Sequence, residues 1–269
     1  MNPGLIIYTL SDSVGNTAIN VAKSALAQFP SHKVPIKNFP FIKDDQELLA
    51  ILTRAKDREA MVIYNFAKLD HVSLVESFQE EHDLFAFNLL TPLTEYLADR
   101  IGHAPSQEAG ANHQLNQAYF DRINAMEFAV QYDDGQDPNG FLQADIILLG
   151  VSRTSKTPLS IYLANEGFKV ANLPVMPEST IPNQIYQVDP RKIIGLTNSK
   201  DLLLAIRKER MRAYGLDDNM LYSTQERIEA ELDFANQLYQ DLGCFTINVS
   251  NKSIEETTAI IKDYLSQEE

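Results

Sequence analysis

Cysteine is nearly absent from this sequence: Cys244 stands alone, so no internal disulfide can form, and a reducing, cytoplasmic setting is the expectation. The thiol lies in the strand-like run 244–249, with no cationic or histidine neighbour in sequence, and reads as a small buried hydrophobe rather than a nucleophile. Basic residues are also short. The 23 Lys and Arg face 37 Asp and Glu, leaving a formal charge of −14. That balance argues against a broad nucleic-acid or anionic-membrane surface, both of which need clustered cations, while a local basic pocket stays open. No run approaches the roughly 20 apolar residues of a membrane span. The opening Met1-Asn-Pro-Gly has neither a basic n-region nor a long apolar stretch, so no signal peptide is expected. The five histidines (32, 71, 82, 103 and 113) show no metal-ligand spacing. Neither a G-x-S-x-G elbow nor a dinucleotide-binding G-x-G-x-x-G occurs, and there is no internal repeat or low-complexity tract.

Apolar residues make up 44% of the 269, enough for a proper core in one large domain or two small ones. They come in alternating strand-like and helix-like segments. In the first hundred residues, 5–9 reads as a buried strand, 11–17 as a turn and the stretch to about Phe29 as a helix. Residues 33–37 form a weaker strand suited by Pro35 to an edge. A helix over 44–56 places Leu48, Leu49, Leu52 and Ala55 on one face. Strand 61–64, helix 70–82, strand 83–89 and helix 92–101 continue the rhythm. The small, polar stretch 103–112 breaks it, followed by a long helix over 114–132 and a dense group of turn residues over 133–140. Strands at 144–149, 169–173, 193–197 and 244–249 then alternate with helices at 158–166, 199–214 and 224–241. Ser253-Ile-Glu-Glu256 is a capping box that opens a final helix. Repeated β-then-α units predict an α/β fold with mostly parallel sheets covered on both faces. Two α/β domains are expected: 1–104, then a linker near 103–113, then a P-loop kinase-like domain over 113–269.

The segment Gly150-Val151-Ser152-Arg153-Thr154-Ser155-Lys156-Thr157 carries most of the chemistry. It lies between an apolar strand and a helix that opens on Pro158, the layout of a phosphate-binding loop. Such a loop turns successive backbone N–H groups inward, aims a helix N-terminus at the phosphates and bridges them with a lysine, here Lys156. Thr157 would offer its hydroxyl to a bound Mg²⁺. Ser155 occupies the place of the usual second glycine, where a positive φ would strain it. Taken alone, the segment also fits an ordinary strand–loop–helix. The helix over 199–214 carries Lys200, Arg207, Lys208, Arg210 and Arg212. Arg207 and Arg210 share a face by spacing and could offset the charge of a transferring phosphoryl group, or the face could simply be solvated. Asp133-Asp134-Gly135 precedes the loop strand by about ten residues. Either carboxylate could accept a hydroxyl proton or hold Mg²⁺, and the trio could equally be only a turn. Ser11-Asp-Ser-Val-Gly-Asn-Thr17 could hold a phosphate at a helix N-terminus or serve as an N-cap turn.

Several of these strings together resemble one family. Ser11-Asp-Ser-Val-Gly-Asn-Thr-Ala18, Tyr132-Asp-Asp-Gly135, Gly150 through Ser160, Lys169-Val-Ala-Asn-Leu-Pro174 with Pro177-Glu178, and the stretch from Gly195-Leu-Thr197 to Arg207 and Arg210 are similar to the bacterial pyruvate, phosphate dikinase regulatory proteins. The similarity spans nearly the whole chain, and serine in place of the second glycine belongs to the family pattern. It implies a bifunctional protein kinase and phosphorylase. ADP would be the donor to a threonine of the dikinase, and inorganic phosphate would remove that group as pyrophosphate. A sister branch acts on phosphoenolpyruvate synthase, and Tyr8-Thr-Leu-Ser-Asp-Ser-Val-Gly15 looks more like the dikinase branch. Under that reading residues 150–157 and Lys156 hold the ADP phosphates with Mg²⁺ at Thr157. Arg153 offsets developing charge and Asp133 or Asp134 takes the threonine proton. A homodimer is left open. A P-loop kinase for a small metabolite and a nucleotide-sensing binding module are the competing readings.

Overall fold

The computed structural model describes residues 4–111, 117–216 and 221–267. The chain divides into two compact units, Met1–Gln114 and Leu115–Glu269. Each is built on a four-stranded, wholly parallel sheet.

In the first unit the strands are β1 (Ile7–Leu10), β2 (Ile36–Phe39), β3 (Met61–Tyr64) and β4 (Ala86–Asn88), in spatial order β2-β1-β3-β4. The helices are α1 (Asn16–Leu26), α2 (Asp45–Asp57), α3 (Leu69–His82) and α4 (Thr91–Ile101). The period of two along the strands sorts their side chains. Tyr8, Leu10, Val62 and Tyr64 meet Leu48 and Leu52 of α2 and Val72 and Val75 of α3. Ile7 and Ile63 turn the other way, onto Ala18 and Ala22 of α1. The buried stripe of α2 is Leu48, Ile51, Leu52 and Ala55, at i, i+3, i+4 and i+7, whereas Leu49 is exposed. Asp44 caps this helix by accepting from the Glu47 N–H at 2.9 Å. The edge strand β2 begins just after Pro35 rather than running across it; Pro35 cannot donate, but its carbonyl accepts from the Ile7 N–H at 3.0 Å.

The second unit opens with α5 (Gln117–Gln131); the residues at 114–116 that the sequence assigns to the same helix lie outside the described set. Short 3-10 turns at Asp133–Gly135 and Pro138–Leu142 lead into β5 (Ile146–Gly150). Then come α6 (Lys156–Asn165), β6 (Val170–Pro174), β7 (Ile193–Thr197), α7 (Lys200–Ala213), α8 (Gln225–Leu242), β8 (Phe245–Asn248) and α9 (Ile254–Ser266). The sheet order is β6-β5-β7-β8. All five residues of β5 are buried, because both faces of this central strand are covered. Ile147 and Leu149 join Phe128, Leu203, Ile228 and Tyr239 on one side. Ile146 and Leu148 join Leu159, Leu163 and Ile261 on the other. The Ser253–Glu256 capping box is formed in both directions, at 2.8 and 3.1 Å.

The order second–first–third–fourth strand recurs in both sheets. It is the doubly wound pattern in which a crevice opens at the carboxyl ends of the first and third strands, where the winding reverses. In the second unit that place lies between β5 and β7, directly above the loop 151–155.

Candidate functional site

The loop between β5 and α6 is tightly wound. Gly150 gives it room: a β-carbon there would lie 2.4 Å from the Thr154 hydroxyl and 3.3 Å from the Leu196 carbonyl oxygen. The Thr154 hydroxyl, fully buried, donates back to the Val151 carbonyl at 2.9 Å. Arg153 and Ser155 both take positive φ, 77° and 61°. Ser155 does so as the N-cap of α6, without making a side-chain capping bond. Lys156 and Thr157 already belong to the first turn, so the helix begins two residues before Pro158. Lys156 is buried, and its ammonium donates to the carbonyls of Gly150 (2.9 Å) and Val151 (3.1 Å). Desolvation pulls its pKa down to about 8, opposed by the charges of Asp134 and Asp133.

Both carboxylates of the Asp133-Asp134 turn reach this loop, in different ways. Asp133 accepts from the Thr157 hydroxyl at 3.0 Å and from the Asn172 amide at 2.5 Å. Asn172, fully buried on β6, also accepts the Asp134 backbone N–H through its Oδ1 at 3.1 Å. One amide therefore fixes the acidic turn against the helix start. Asp134, at a left-handed φ of 51°, is exposed. It lines a cleft of about 830 Å³ together with Ser152, Arg153, Lys156, Thr157 and Glu178. Asn172 lies in the string Lys169-Val-Ala-Asn-Leu-Pro174 that carries part of the family resemblance, but spacing and composition give this polar strand residue no role.

The basic helix departs from expectation. Arg207 does not face the cleft as a free cation: it is fully buried, pairs with Glu231 at 2.6 Å and donates to the carbonyls of Ser152 (3.2 Å) and Tyr222 (3.0 Å). Its guanidinium also stacks on the Tyr222 ring, 4.6 Å from the centroid. Arg210 bonds the Tyr214 hydroxyl one turn on, at 2.9 Å. Burial is the physical reason for the difference: a guanidinium out of water needs a carboxylate and carbonyls around it, and these hold it behind the loop. Glu231 in turn accepts from Arg227 at 2.7 Å, and Arg227 forms a two-pronged pair with Glu178, which holds the Glu178 carboxyl down at about 2. The Tyr222 hydroxyl bonds the Ser152 hydroxyl (2.8 Å) and accepts from Arg153 Nε (3.3 Å), completing a support that sequence reasoning missed.

In the first unit, two polar side chains of the Ser11–Thr17 stretch, Ser11 and Asp12, are committed to backbone. Asp12 accepts the N–H groups of Ala67 (2.7 Å) and Lys68 (3.2 Å), and the Ser11 hydroxyl accepts that of Ser13 (3.1 Å). Gly15, at φ 83°, lies where a β-carbon would stand 2.9 Å from Asn38 Oδ1. Cys244 is half-buried against the second unit's core, and burial pushes its thiol pKa up, as expected for an inert residue. Among the described residues no three His, Cys, Asp or Glu side chains gather as a metal site, and no helix is long and apolar enough to cross a membrane.

The kinase/pyrophosphorylase family matches residues 7–261. A protein of Latilactobacillus sakei, provisionally named pyruvate, phosphate dikinase regulatory protein 1, is 52% identical over 257 residues, covering 96% of this chain and 92% of its own. One from Enterococcus faecalis, provisionally named pyruvate, phosphate dikinase regulatory protein 2, is 51% identical over 98% of this chain and 96% of its own. A third, from Ligilactobacillus salivarius, is 49% identical over 98% and 97%. With matches of this extent and identity, the chain belongs to the kinase/pyrophosphorylase family of regulatory proteins.

Proposed function

We propose that this protein is an ADP-dependent kinase of a threonine on pyruvate, phosphate dikinase, and the phosphate-dependent phosphorylase that reverses the modification. The observation that carries the reading is the convergence of Lys156, Asp134 and the Thr157–Asp133–Asn172 chain on one cleft above the winding reversal of a parallel sheet. The names of the relatives supply the dikinase as target.

In the forward direction the threonine hydroxyl oxygen attacks the β-phosphorus of ADP. The bond from that phosphorus to the bridging oxygen breaks, AMP leaves, and the hydroxyl proton passes to a carboxylate. Asp134 is assigned this role, because Asp133 is already committed to Thr157 and Asn172 while Asp134 stands exposed in the cleft. Lys156 and the loop N–H groups of residues 151–157 hold the phosphates, and Arg153, released from Tyr222, offsets charge on the transferring group. In the reverse direction an oxygen of inorganic phosphate attacks the phosphothreonine phosphorus. The bond to the threonine oxygen breaks, pyrophosphate forms, and that oxygen regains a proton. Thr157 and Asp133 offer the hard oxygen donors that Mg²⁺ takes in company with substrate phosphates and water, and the ion would supply positive charge beside them.

Incubation with ADP labelled at the β-phosphate and purified dikinase tests the reading. Label is expected on a dikinase threonine and, after addition of inorganic phosphate, in pyrophosphate. Label on a small molecule, or none transferred, would overturn it. The assignment of the base is checked in the same assay: Asp134→Asn is expected to slow transfer by about 10²–10⁴-fold with ADP binding retained, and an unchanged rate would remove Asp134 from that role.

A further inference from the structure

The loop 150–156 is flanked by two hollows, and only one has been given a role. The larger is the cleft of about 830 Å³, which holds Asp134, Lys156, Thr157, Glu178 and Arg227. The second, of about 220 Å³, lies on the opposite side, at the carboxyl ends of β7 and β8. Arg153, Ser155 and Ile206 border both. The chemistry of the smaller hollow is different. Leu159, Leu202, Ile206, Val249 and Ile254 form the apolar part of its wall, Arg153, Lys252 and Asn251 contribute cationic and amide groups at its edge, and it contains no carboxylate. Its one deeply buried amide is Asn198, 8% exposed. The Asn198 Oδ1 is doubly occupied, accepting the Ser199 N–H at 2.8 Å and the Ser250 hydroxyl at 2.7 Å. Those two bonds fix the orientation of the amide and leave its Nδ2 hydrogens as donors with no partner among the described residues.

We propose that this smaller hollow seats the purine end of the nucleoside diphosphate, an inference that rests on the function proposed above. A flat, largely apolar ring system with acceptor nitrogens on its edge suits an aliphatic wall that faces the free Asn198 amide donor, and Arg153 and Lys252 at the rim suit the phosphates attached to it. The location agrees, since the lining residues Arg153, Asn198 and Val249 follow β5, β7 and β8, at the carboxyl ends of the strands where doubly wound sheets bind ligands. The arrangement also separates the substrates. With the nucleoside on the β7–β8 side, its phosphates cross the loop N–H groups and reach Lys156, and the acceptor hydroxyl enters from the larger cleft beside Asp134. Donor and acceptor then approach from opposite sides of the loop, an arrangement that lets the attacking and leaving oxygens stand on opposite sides of the transferring phosphorus.

Calorimetric titration with ADP and with inorganic pyrophosphate separates the purine subsite from the phosphate site. The native protein is expected to bind ADP about tenfold or more tightly than pyrophosphate. Leu202→Trp, which fills the hollow, and Asn198→Ala, which removes its donor, are each expected to weaken ADP binding at least about tenfold and about threefold respectively, with pyrophosphate affinity unchanged. Retained pyrophosphate binding reports that a variant is folded; where Leu202→Trp is not, Asn198→Ala and the native comparison decide. Equal native affinities for the two ligands, ADP binding unchanged in the folded variants, or parallel loss of both ligands in an Asn198→Ala protein that still melts cooperatively would overturn the inference. These titrations need no dikinase, so their failure is distinct from a failure of transfer from ADP to the dikinase.

Discussion

Ser155 shows a side chain held against its backbone preference. A β-carbon in the left-handed region costs about 1–2 kcal/mol, and Ser155 makes no capping bond that would offset it. Ser155→Gly relieves that strain while giving the unfolded chain more freedom, worth about 0.5–1 kcal/mol in the other direction. A net gain on the order of 0.5–1 kcal/mol is expected. It is read as a raised denaturant midpoint at unchanged slope, and a lowered midpoint would show that the hydroxyl stabilises the loop after all. The neighbouring Lys156 gives a pH signature. Burial draws it down to about 8. Between pH 8 and the ordinary lysine value the unfolded chain carries more protons at this residue than the folded one, so its contribution to stability improves as pH rises through that window. Phosphate binding runs the other way, because a bound anion favours the charged amine. ADP binding near pH 8 should therefore take up a fraction of a proton, measured by calorimetry in buffers of different ionisation enthalpy. The uptake should vanish in Lys156→Ala, and equal uptake in both proteins would assign the proton to another group.

At the scale of elements, α7 and α8 are joined by a buried ion pair that braces the loop 151–155. Arg207 is fully buried, so removing the Glu231 charge leaves a buried cation beside the Ser152 and Tyr222 carbonyls and the Tyr222 ring. Glu231→Gln is expected to cost about 3–5 kcal/mol in urea unfolding, and a loss below about 1 kcal/mol would mean the pair is dispensable. The stripes of α7 and α8 carry this pair in the sequence. Arg207 occupies the buried stripe Leu203, Arg207, Met211, and Glu231 the buried stripe Ile228, Glu231, Ala235, Leu238. Opposite charges set into two apolar stripes predict each other, whereas the number and spacing of basic residues on α7 point only to a phosphate-facing or a solvated face. The strands and helices were legible because their periods are fixed by local geometry; the boundaries that moved are instructive. The helix after the loop starts at Lys156 because a positive φ at Ser155 lets the chain turn early, and no residue type announces that. Asn172 was invisible for another reason: its importance lies in a contact with Asp133, 39 residues away.

Across the whole molecule, the candidate site has a definite address. Every residue lining the two hollows belongs to the second unit, from Asp134 to Thr257. That unit's core is likewise internal: its clusters draw on α5 through α9 and the sheet β6-β5-β7-β8, with both faces of β5 covered by residues of the same unit. A body of this size with a two-sided sheet buries enough apolar surface to fold as an independent domain. The fragment 115–269 should therefore unfold cooperatively on its own and bind ADP within about threefold of the full chain. Transfer to the dikinase is a separate matter, since recognition of a protein acceptor can draw on surface anywhere along the chain. The experiment is a thermal melt of the fragment followed by ADP titration. A folded fragment with ADP affinity reduced more than about tenfold would show that the nucleotide site is not complete within the second unit. A fragment without a cooperative transition would show that the two clusters around β5 are too small to hold the sheet alone.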